Sequence, residues 1–322
     1  MNIVCCFDDN YVMPTGVLLL SVCENNKREK EIIFYAISEE LKEENRRILK
    51  KIVEPYERKI HFYCIDAERF KNSPIQKEFQ DAYLKVSTYY RLFLASVLPA
   101  NLDKVLYLDT DMVVFGSLAG LWNTDIDTCA LSAAIEYLGD SVWHSNRLDC
   151  DFPLGYFNAG VLLINMVYWR ENNIENELLE YAERNAKVLQ FHDQDTLNYV
   201  LRDRRKEMPM KYNVVDSYLR ETKNLYIKRS RWDEMFSAVK TPIIIHFTGE
   251  IKPWHKDSNL FFDSIWLKYY RLSPWKDVPL TYKQTFLKRQ MPLLKRLLAH
   301  FGLVSVPDYK YRTNLPSIET HK

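Results

Sequence analysis

The chain has 322 residues, and its 44 Lys and Arg residues almost balance its 43 Asp and Glu residues, which leaves a formal net charge of +1. So small a net charge gives no indication of a nucleic-acid partner, and none is expected. Hydrophobic residues make up 47% of the chain, which is typical of a globular protein with one large or two small domains.

Strand-like and helix-like segments alternate from the N-terminus onward. Apolar runs predict strands at 2–7, 31–37, 59–65, 104–109 and 129–136. Helical patterns fill the intervals at 16–26, between Ser38 and Pro55, and at 81–99. Later segments predict a strand at 156–166, a charged helix at 169–187 and a strand at 241–247. The alternation predicts an α/β fold, with a doubly wound, mostly parallel central sheet covered by helices on both faces.

The N-terminus and the cysteines predict a cytoplasmic protein. No basic region precedes the first apolar run, unlike in a signal peptide, and no apolar stretch approaches the roughly 20 residues of a membrane span. The six cysteines form no CxxC pair, and Cys5, Cys64 and Cys129 lie in apolar runs. Buried free thiols in a reducing compartment are the simplest interpretation.

Acidic residues follow two of the predicted strands. Asp8 and Asn10 come after the first strand, and Asp109 and Asp111 come after the fourth. Ligands of doubly wound sheets bind outside the carboxyl ends of the strands, so we expect both groups at one rim. No GxGxxG or GxxxxGK[ST] motif is present, so a dinucleotide site or P-loop is not indicated.

The pair Asp109 and Asp111 predicts a divalent-metal site, because two hard oxygen ligands suit Mg²⁺ or Mn²⁺. A solvated turn is the alternative, although such a turn does not need the apolar strand that leads into it. His246 ends a later apolar run and can supply an imidazole ligand, which favours Mn²⁺ over Mg²⁺. The alternative for His246 is a core histidine.

Three further stretches contain polar groups for a ligand. Gly249 can allow a close backbone approach and Lys252 can face phosphate, unless Lys252 is an ordinary surface residue. Asp193 lies beside Gln194 in a polar cluster before a helix, which it can alternatively cap. Asn158 precedes the pair Ala159-Gly160, at either a ligand approach or a turn into a strand.

Together these stretches resemble glycosyltransferase family 8, the retaining nucleotide-sugar transferases that include bacterial lipooligosaccharide galactosyltransferases. The similar stretches, in family order, are DDNY (8–11), STYYRL (87–92), KVLYLDTDMVV (104–114), FNAGVLLIN (157–165), DQDTLN (193–198) and HFTGEIKPWH (246–255). The resemblance implies a GT-A catalytic domain over 1–256, followed by a C-terminal helical appendage over 257–322. It also implies a donor such as UDP-glucose or UDP-galactose, a Mn²⁺ (or Mg²⁺) cofactor, and a glycan or lipid-linked sugar acceptor of the cell-surface glycan or lipopolysaccharide kind.

The resemblance implies roles for eleven residues. They are the metal ligands Asp109, Asp111 and His246, the uridine and ribose contacts Asp8 and Asn10, the diphosphate contacts Gly249 and Lys252, and the catalytic residues around the donor sugar, Arg91, Asn158, Asp193 and Gln194. The chain departs from the family pattern over 136–152, where Glu136 replaces an aspartate frequent in bacterial members. That stretch is expected to border the acceptor.

A transfer of this kind needs the departing diphosphate to be neutralised, which a divalent cation and Lys252 can do. A carboxylate such as Asp193 can stabilise the oxocarbenium character of the sugar. No carboxylate is an obvious nucleophile and Gln194 is a poor one. Attack on the face from which the diphosphate departs is therefore the favoured route to retention.

The C-terminal segment 281–302 predicts a membrane-surface contact. It carries Lys283, Lys288, Arg289, Lys295 and Arg296 without any acid, beside apolar residues near helical spacing. A basic amphipathic segment can lie on an anionic membrane. We therefore expect a cytoplasmic protein, peripheral on the inner face of the cell membrane. Packing of the segment on the catalytic domain is the alternative.

Two rival functions fit parts of the same pattern. A haloacid-dehalogenase-like phosphatase would use Asp109 as nucleophile and Asp111 as acid and base, although its motif usually follows the first strand of the fold. A non-catalytic nucleotide- or carbohydrate-binding protein would keep the fold and the ligand contacts without turnover.

Overall fold

The computed structural model describes residues 1–65, 86–136, 139–219 and 228–283. All but the first three residues of the predicted membrane segment at 281–302 lie outside these ranges, as does the start of the helix predicted at 81–99. Among the helices in the described ranges, none has the length and apolarity needed to cross a bilayer.

The strands of the described residues form a seven-stranded and a three-stranded sheet. They are β1 (Asn2–Cys6), β2 (Ile33–Ser38), β3 (Lys59–Cys64), β4 (Lys104–Leu108), β5 (Met112–Val114), β6 (Leu131–Ile135), β7 (Phe157–Asn165), β8 (Arg205–Glu207), β9 (Val214–Val215) and β10 (Ile244–His246). The large sheet has the order β3-β2-β1-β4-β7-β6-β8, and the small one β5-β10-β9.

The large sheet is mostly parallel, as predicted from the alternation of strands and helices. β1, β2, β3 and β4 pair in parallel, and β8 is parallel to β6. β7 is reversed, and pairs antiparallel with both β4 and β6. Its burial on both faces along all nine residues hides this reversal from the sequence pattern.

Helices cover both faces of the large sheet. The α-helices of the described ranges are α1 (Val12–Asn25), α2 (Glu43–Val53), α3 (Leu94–Val97), α4 (Ala119–Trp122), α5 (Val142–Leu148), α6 (Met166–Glu171), α7 (Ile174–Asn185), α8 (His192–Leu201), α9 (Trp232–Lys240) and α10 (Asp263–Tyr270). Strand side chains alternate between the faces, so Ile3 and Cys5 pack with α1 while Val4 packs with α7 and α8. The predicted doubly wound α/β architecture is confirmed.

The small sheet pairs a late strand, β10, with β5 from the middle of the chain. β10 is antiparallel to β5, with His246 opposite Met112, and parallel to β9. Since β4 ends at Leu108 and β5 begins at Met112, residues 109–111 are where the chain passes from one sheet to the other. α9 and α10 pack on this sheet, and Asn25 Nδ2 of α1 donates to the Tyr269 hydroxyl of α10 at 2.7 Å. The boundary after residue 256 stays a prediction.

Several local predictions differ from the structure. The helix predicted at 169–187 is two helices, α6 and α7, because Asn173 adopts a left-handed φ of 53° between them. The described part of the helix predicted at 81–99 is a 3₁₀ helix over Val86–Phe93 followed by α3. Cys64 is exposed and Cys129 partly buried, so only Cys5 is buried as expected.

Candidate active site

A cleft of about 860 Å³ opens at the carboxyl ends of β1 and β4, and all eleven residues singled out in the sequence line it. The structure therefore brings both acidic groups to one rim, as the strand-end argument predicts. The two aspartate groups follow β1 and β4, as expected, and His246 reaches the cleft from the small sheet.

Asp8 and Asn10 lie at the end of β1, where the chain turns into a 3₁₀ helix and then α1. The Asp8 carboxylate caps that turn by accepting a hydrogen bond from the Asn10 backbone N–H at 2.8 Å. The intervening Asp9 has a different role. It accepts from the Lys42 N–H and the Asn45 side chain, and so holds the loop before α2.

Asp109, Asp111 and His246 converge on one point of the cleft. Their ligand atoms all lie within 4.8 Å of one another. His246 Nε2 is 3.2 Å from a carboxylate oxygen of Asp111 and 3.8 Å from one of Asp109. Two carboxylates and an imidazole within such a distance suit a divalent cation of the Mn²⁺ type.

The orientation of His246 is set by two neighbours that its own sequence context does not reveal. The Asn213 amide donates to Asn158 Oδ1 at 2.8 Å, so its Oδ1 is left to accept from His246 Nδ1 at 3.0 Å. This assignment makes Nδ1 the protonated nitrogen and turns the Nε2 lone pair toward the carboxylates. Gly160 makes room for the ring, because a Cβ there would stand 2.4 Å from His246 Cε1.

The same contacts bear on Asn158 and the small pair Ala159-Gly160, which the sequence left as either a close ligand approach or a turn into a strand. Asn158 Oδ1 also accepts from the Gly160 N–H at 3.0 Å, so its carbonyl is used within the protein. The close approach at Gly160 is made by the His246 ring. Asn158 therefore lines the cleft and also holds Asn213, which in turn contacts the histidine.

The Asp111 carboxylate is ionised in the way a metal requires. Burial by itself would raise the pKa of Asp111, but neighbouring groups, with the positive charge of Lys252 as the largest contribution, outweigh it and hold that pKa far below its usual range. The Asp111 carboxylate is therefore anionic at neutral pH. These residues fit a resident divalent cation by their chemistry and by their spacing.

Lys252 enters the cleft from the loop after β10. Its ammonium donates to Asp111 Oδ2 at 2.6 Å and to the Phe247 carbonyl at 2.7 Å, so it is not an ordinary surface lysine. Gly249 in the same loop has a φ of +92°, a conformation that favours glycine. Among the described residues, no heavy atom lies within 4 Å of the position that a Gly249 Cβ would take.

Arg91 lies between two acidic groups on the opposite wall. Its Nη2 is 2.8 Å from Asp109 Oδ1, and its Nε is 2.8 Å from Asp193 Oδ2 without the alignment of a hydrogen bond. Burial opposes the charge, but Asp109 and then Asp193 raise the pKa of Arg91 above its usual value. The Tyr107 hydroxyl donates to the same Asp109 oxygen at 2.7 Å, which further fixes that carboxylate.

Asp193 and Gln194 lie in the first turn of α8. Phe191 is the N-cap, so the alternative in which Asp193 caps this helix is wrong. Burial raises the pKa of Asp193 to about 7, although the Arg91 charge acts in the opposite direction. The Gln194 side-chain carbonyl accepts from the Ala159 N–H at 3.0 Å, which ties α8 to β7.

Asp195, the second carboxylate beside Gln194, was given no role from the sequence, and it holds that turn from inside the protein. It is fully buried, and its two oxygens face Nη1 and Nη2 of Arg147, each at 2.6 Å. One oxygen also accepts from the Tyr156 hydroxyl, and the other from the backbone N–H groups of Gln190 and Phe191. The DxD spacing of Asp193 and Asp195 was the only available signal, and Arg147 lies 48 positions away.

The described part of the stretch 136–152 lies beside Phe191, at the edge of the cleft. Glu136 is buried, with Oε2 3.5 Å from Nε2 of the buried His144. α5 follows and exposes Val142 and Trp143, and the Trp143 ring meets the ring of Phe191 edge-on at 6.0 Å. Since Phe191 lines the cleft, this exposed apolar surface is continuous with it.

Comparison with known proteins agrees with this geometry. The family model described as "Glycosyl transferase family 8" matches residues 2–258. A lipopolysaccharide 1,2-glucosyltransferase of Escherichia coli is 31% identical over 292 residues, covering 88% of this chain and 81% of the relative. A lipopolysaccharide 1,3-galactosyltransferase of Salmonella typhimurium is 29% identical over 281 residues, covering 85% and 79%.

Solved structures lead to the same family. The galactosyltransferase LgtC, solved in complex with donor and acceptor sugar analogs, superposes with a TM-score of 0.76 at 27% identity, covering 86% of this chain and 99% of that one. The expected GT-A fold is thereby confirmed, and the phosphatase alternative for Asp109 and Asp111 is wrong. The chain belongs to glycosyl transferase family 8 and is a hexosyltransferase.

Proposed function

We propose that the enzyme moves glucose or galactose from a UDP-sugar to a glycan or lipid-linked sugar with retention of configuration, and that it uses Mn²⁺, or alternatively Mg²⁺. One observation carries the proposal: Asp109, Asp111 and His246 come within 4.8 Å of one another in the cleft. The metal would be held by these three side chains. When bound, it supplies Lewis-acid stabilisation to the leaving diphosphate.

The chain's own residues would bind the rest of the donor. Asp8 and Asn10, at the end of β1, would contact uridine and ribose. The Gly249 backbone has open space beside it and would approach the diphosphate, which the Lys252 ammonium would help to neutralise. Both groups line the same cleft as the metal ligands, which supports one continuous donor site.

Arg91, Asn158, Asp193 and Gln194 would surround the donor sugar. The Asp193 carboxylate would stabilise positive charge at the anomeric carbon, and Arg91 would keep it oriented. Asp195 is unsuited to act as a covalent nucleophile, because Arg147, Tyr156 and two backbone N–H groups occupy its oxygens. Same-face attack is therefore the proposed route.

The acceptor is proposed from the relatives and from the cleft wall. Four curated relatives are named as lipopolysaccharide glycosyltransferases, so an acceptor of that kind is the favoured candidate. It would bind beside 136–152. The basic segment 281–302 would hold the enzyme on the inner face of the cell membrane.

A panel of UDP-sugars tests the donor and the metal. The purified enzyme is incubated with UDP-glucose, UDP-galactose and UDP-N-acetylglucosamine, with Mn²⁺, with Mg²⁺ or with EDTA, and UDP release is measured with and without truncated lipopolysaccharide. We expect UDP to be released from one of the two hexose donors when Mn²⁺ is present, and we expect the amount released to rise when acceptor is added. UDP binding without release from any donor, in the presence of acceptor, would instead favour the non-catalytic alternative.

The membrane contact needs a separate experiment. In the full-length chain, Lys288, Arg289, Lys295 and Arg296 are replaced together by glutamine. We expect the wild type to sediment with vesicles that contain phosphatidylglycerol and the variant to stay in the supernatant. Equal sedimentation of both proteins would contradict the membrane role of this segment.

A further inference from the structure

The short segment of residues 281–283, here called the rim segment, is fixed against the loop that carries Lys252. Thr281 forms a parallel bridge with His255, and its carbonyl accepts from the Lys256 N–H at 2.8 Å. The Lys283 N–H donates to the Asp257 carboxylate at 2.8 Å. These bonds hold the backbone of Lys283 at a defined place beside the loop.

Lys283 lines the same cleft as Gly249 and Lys252. The electrostatics of His255 support this proximity. His255 Nδ1 accepts from the Lys252 backbone N–H at 2.9 Å, so the ring lies beside the Lys252 backbone. Burial lowers the pKa of His255, and the positive charge of Lys283 lowers it further, more than that of Lys252 does. The two lysines thus act on one small region of the cleft.

The buried cations of the cleft are already engaged by carboxylates. The Lys252 ammonium pairs with Asp111, and the Arg91 guanidinium lies against Asp109 and Asp193. A nucleoside diphosphate ester adds about two negative charges to this cleft, where Asp8 and Glu250 are acidic as well. A further positive group at the phosphate end of the cleft would therefore strengthen binding.

We propose that Lys283 is a second phosphate-binding residue, which contacts the diphosphate of the donor together with Lys252. This inference rests on the proposed function, because it takes the diphosphate to lie along the loop that carries Gly249 and Lys252. Lys283 would act as an ammonium point charge at the mouth of the cleft. This role makes the rim segment part of the donor site, although the segment lies outside the stretches that resemble the family.

Calorimetry with UDP and Mn²⁺ tests the charge of Lys283 in the full-length protein. We expect Lys283→Gln to weaken UDP binding about fivefold, in line with a partly exposed charge contact. We expect Lys283→Arg to bind within about twofold of the wild type, since it keeps the charge. Equal weakening in both variants would assign the effect to packing of the rim segment and overturn the proposal.

Uridine and a neighbouring lysine provide the matched controls. Uridine lacks phosphate, so its affinity, measured by ligand-observed NMR, should be the same for the wild type and Lys283→Gln. Lys256 is exposed, its ammonium lies 5.2 Å from the centre of the Tyr282 ring, and it is not one of the residues that line the cleft. Lys256→Gln should bind UDP as the wild type does, and a loss equal to that of Lys283→Gln would reduce the effect to general surface charge and refute the proposal.

Lys252→Gln separates this inference from the proposed function. If the wild type binds UDP with Mn²⁺ and Lys252→Gln weakens that binding while Lys283→Gln does not, the inference about Lys283 is wrong and the proposed function stands. If the wild type itself binds no UDP in the presence of Mn²⁺, the proposed function fails, and the inference fails with it.

Discussion

Lys252 and Asp111 form an ion pair across 141 positions of the chain, with Nζ 2.6 Å from Oδ2. His246 Nε2 lies 3.2 Å from the other oxygen of Asp111. This aspartate therefore connects the proposed metal site with the proposed phosphate site, and its charge matters to both.

Neutralising either aspartate should abolish metal-dependent transfer. Asp109→Asn and Asp111→Asn each replace an anionic ligand by a neutral amide of nearly the same shape, so we expect Mn²⁺-dependent UDP release to fall about 100-fold or more. Donor turnover with titrated Mn²⁺ checks this. Asp127→Asn, at an exposed aspartate, should leave turnover unchanged. Wild-type turnover in either ligand variant would remove the metal role.

Asn213 should matter to metal affinity although it does not face the metal position. Asn213→Ala removes the acceptor for His246 Nδ1, so the ring loses the contact that fixes its tautomer. We expect Mn²⁺ to bind about 10- to 100-fold more weakly, as measured by electron paramagnetic resonance of free Mn²⁺ in the presence of UDP. A thermal melt in EDTA distinguishes this from general unfolding. Unchanged Mn²⁺ affinity would mean that the histidine needs no such support.

Gly160→Ala should displace His246 by steric contact alone. The new Cβ would stand 2.4 Å from Cε1 and 2.8 Å from Nδ1 of the ring, closer than real Cβ contacts allow. We expect about a tenfold or greater loss of Mn²⁺ affinity, with little change in uridine binding, because the proposed nucleoside contacts lie at the end of β1. Wild-type Mn²⁺ affinity in this variant would mean that the ring can move without loss of metal binding, which would contradict the prediction.

Asp193 should make stability fall as the pH rises. Its folded-state pKa of about 7 lies above the ordinary carboxyl value, so the folded protein holds a proton that the unfolded chain has already lost. This contribution is complete below about pH 4 and is lost as the pH rises through about 7. Urea unfolding of the metal-free enzyme should show a drop of roughly a few kcal/mol from this group.

The matched variants isolate that effect. Asp193→Asn cannot ionise, so its free energy of unfolding should change less between pH 4 and 8 than that of the wild type. Asp127→Asn should retain the wild-type slope. Identical slopes for the wild type and Asp193→Asn would show that Asp193 is already ionised at low pH.

The buried pair of Asp195 and Arg147 should contribute far more to stability than an exposed pair of the same type. Asp195→Asn leaves Arg147 without its charge partner, and we expect a loss of about 3 to 5 kcal/mol in the free energy of unfolding. Glu180→Gln, in the exposed pair with Arg184, should cost about 0.5 kcal/mol or less. Urea unfolding measures both. Similar losses at the two sites would argue against a special role for Asp195.

The sequence was sufficient to predict that the two acidic groups share one rim, because the carboxyl ends of parallel strands meet at one edge of a sheet. Buried apolar runs alternating with helices predict a parallel sheet, and parallel strands bring Asp8 and Asp109 to one rim. His246 was harder to place by these rules, because it depends on the pairing of β10 with β5 in a second sheet. Its position at the end of a later apolar run suggested a third ligand, and the family resemblance implied the same role.

The supporting residues could not be predicted, because their contacts join distant parts of the chain. Asn213, Gly160 and Arg147 act through shape and hydrogen bonds that no local periodicity records. The break between α6 and α7 depends on Asn173 in a left-handed conformation, which asparagine tolerates but does not require. Such features need the tertiary structure.

The crossing of residues 109–111 between the two sheets has a consequence for how the molecule responds to its donor. Asp109 extends from the end of a strand of the large sheet, whereas His246 belongs to the small one. A cation held by ligands from both sheets would link the two. Because a ligand that binds only the folded state stabilises that state, bound Mn²⁺ should raise the free energy of unfolding as well as support turnover.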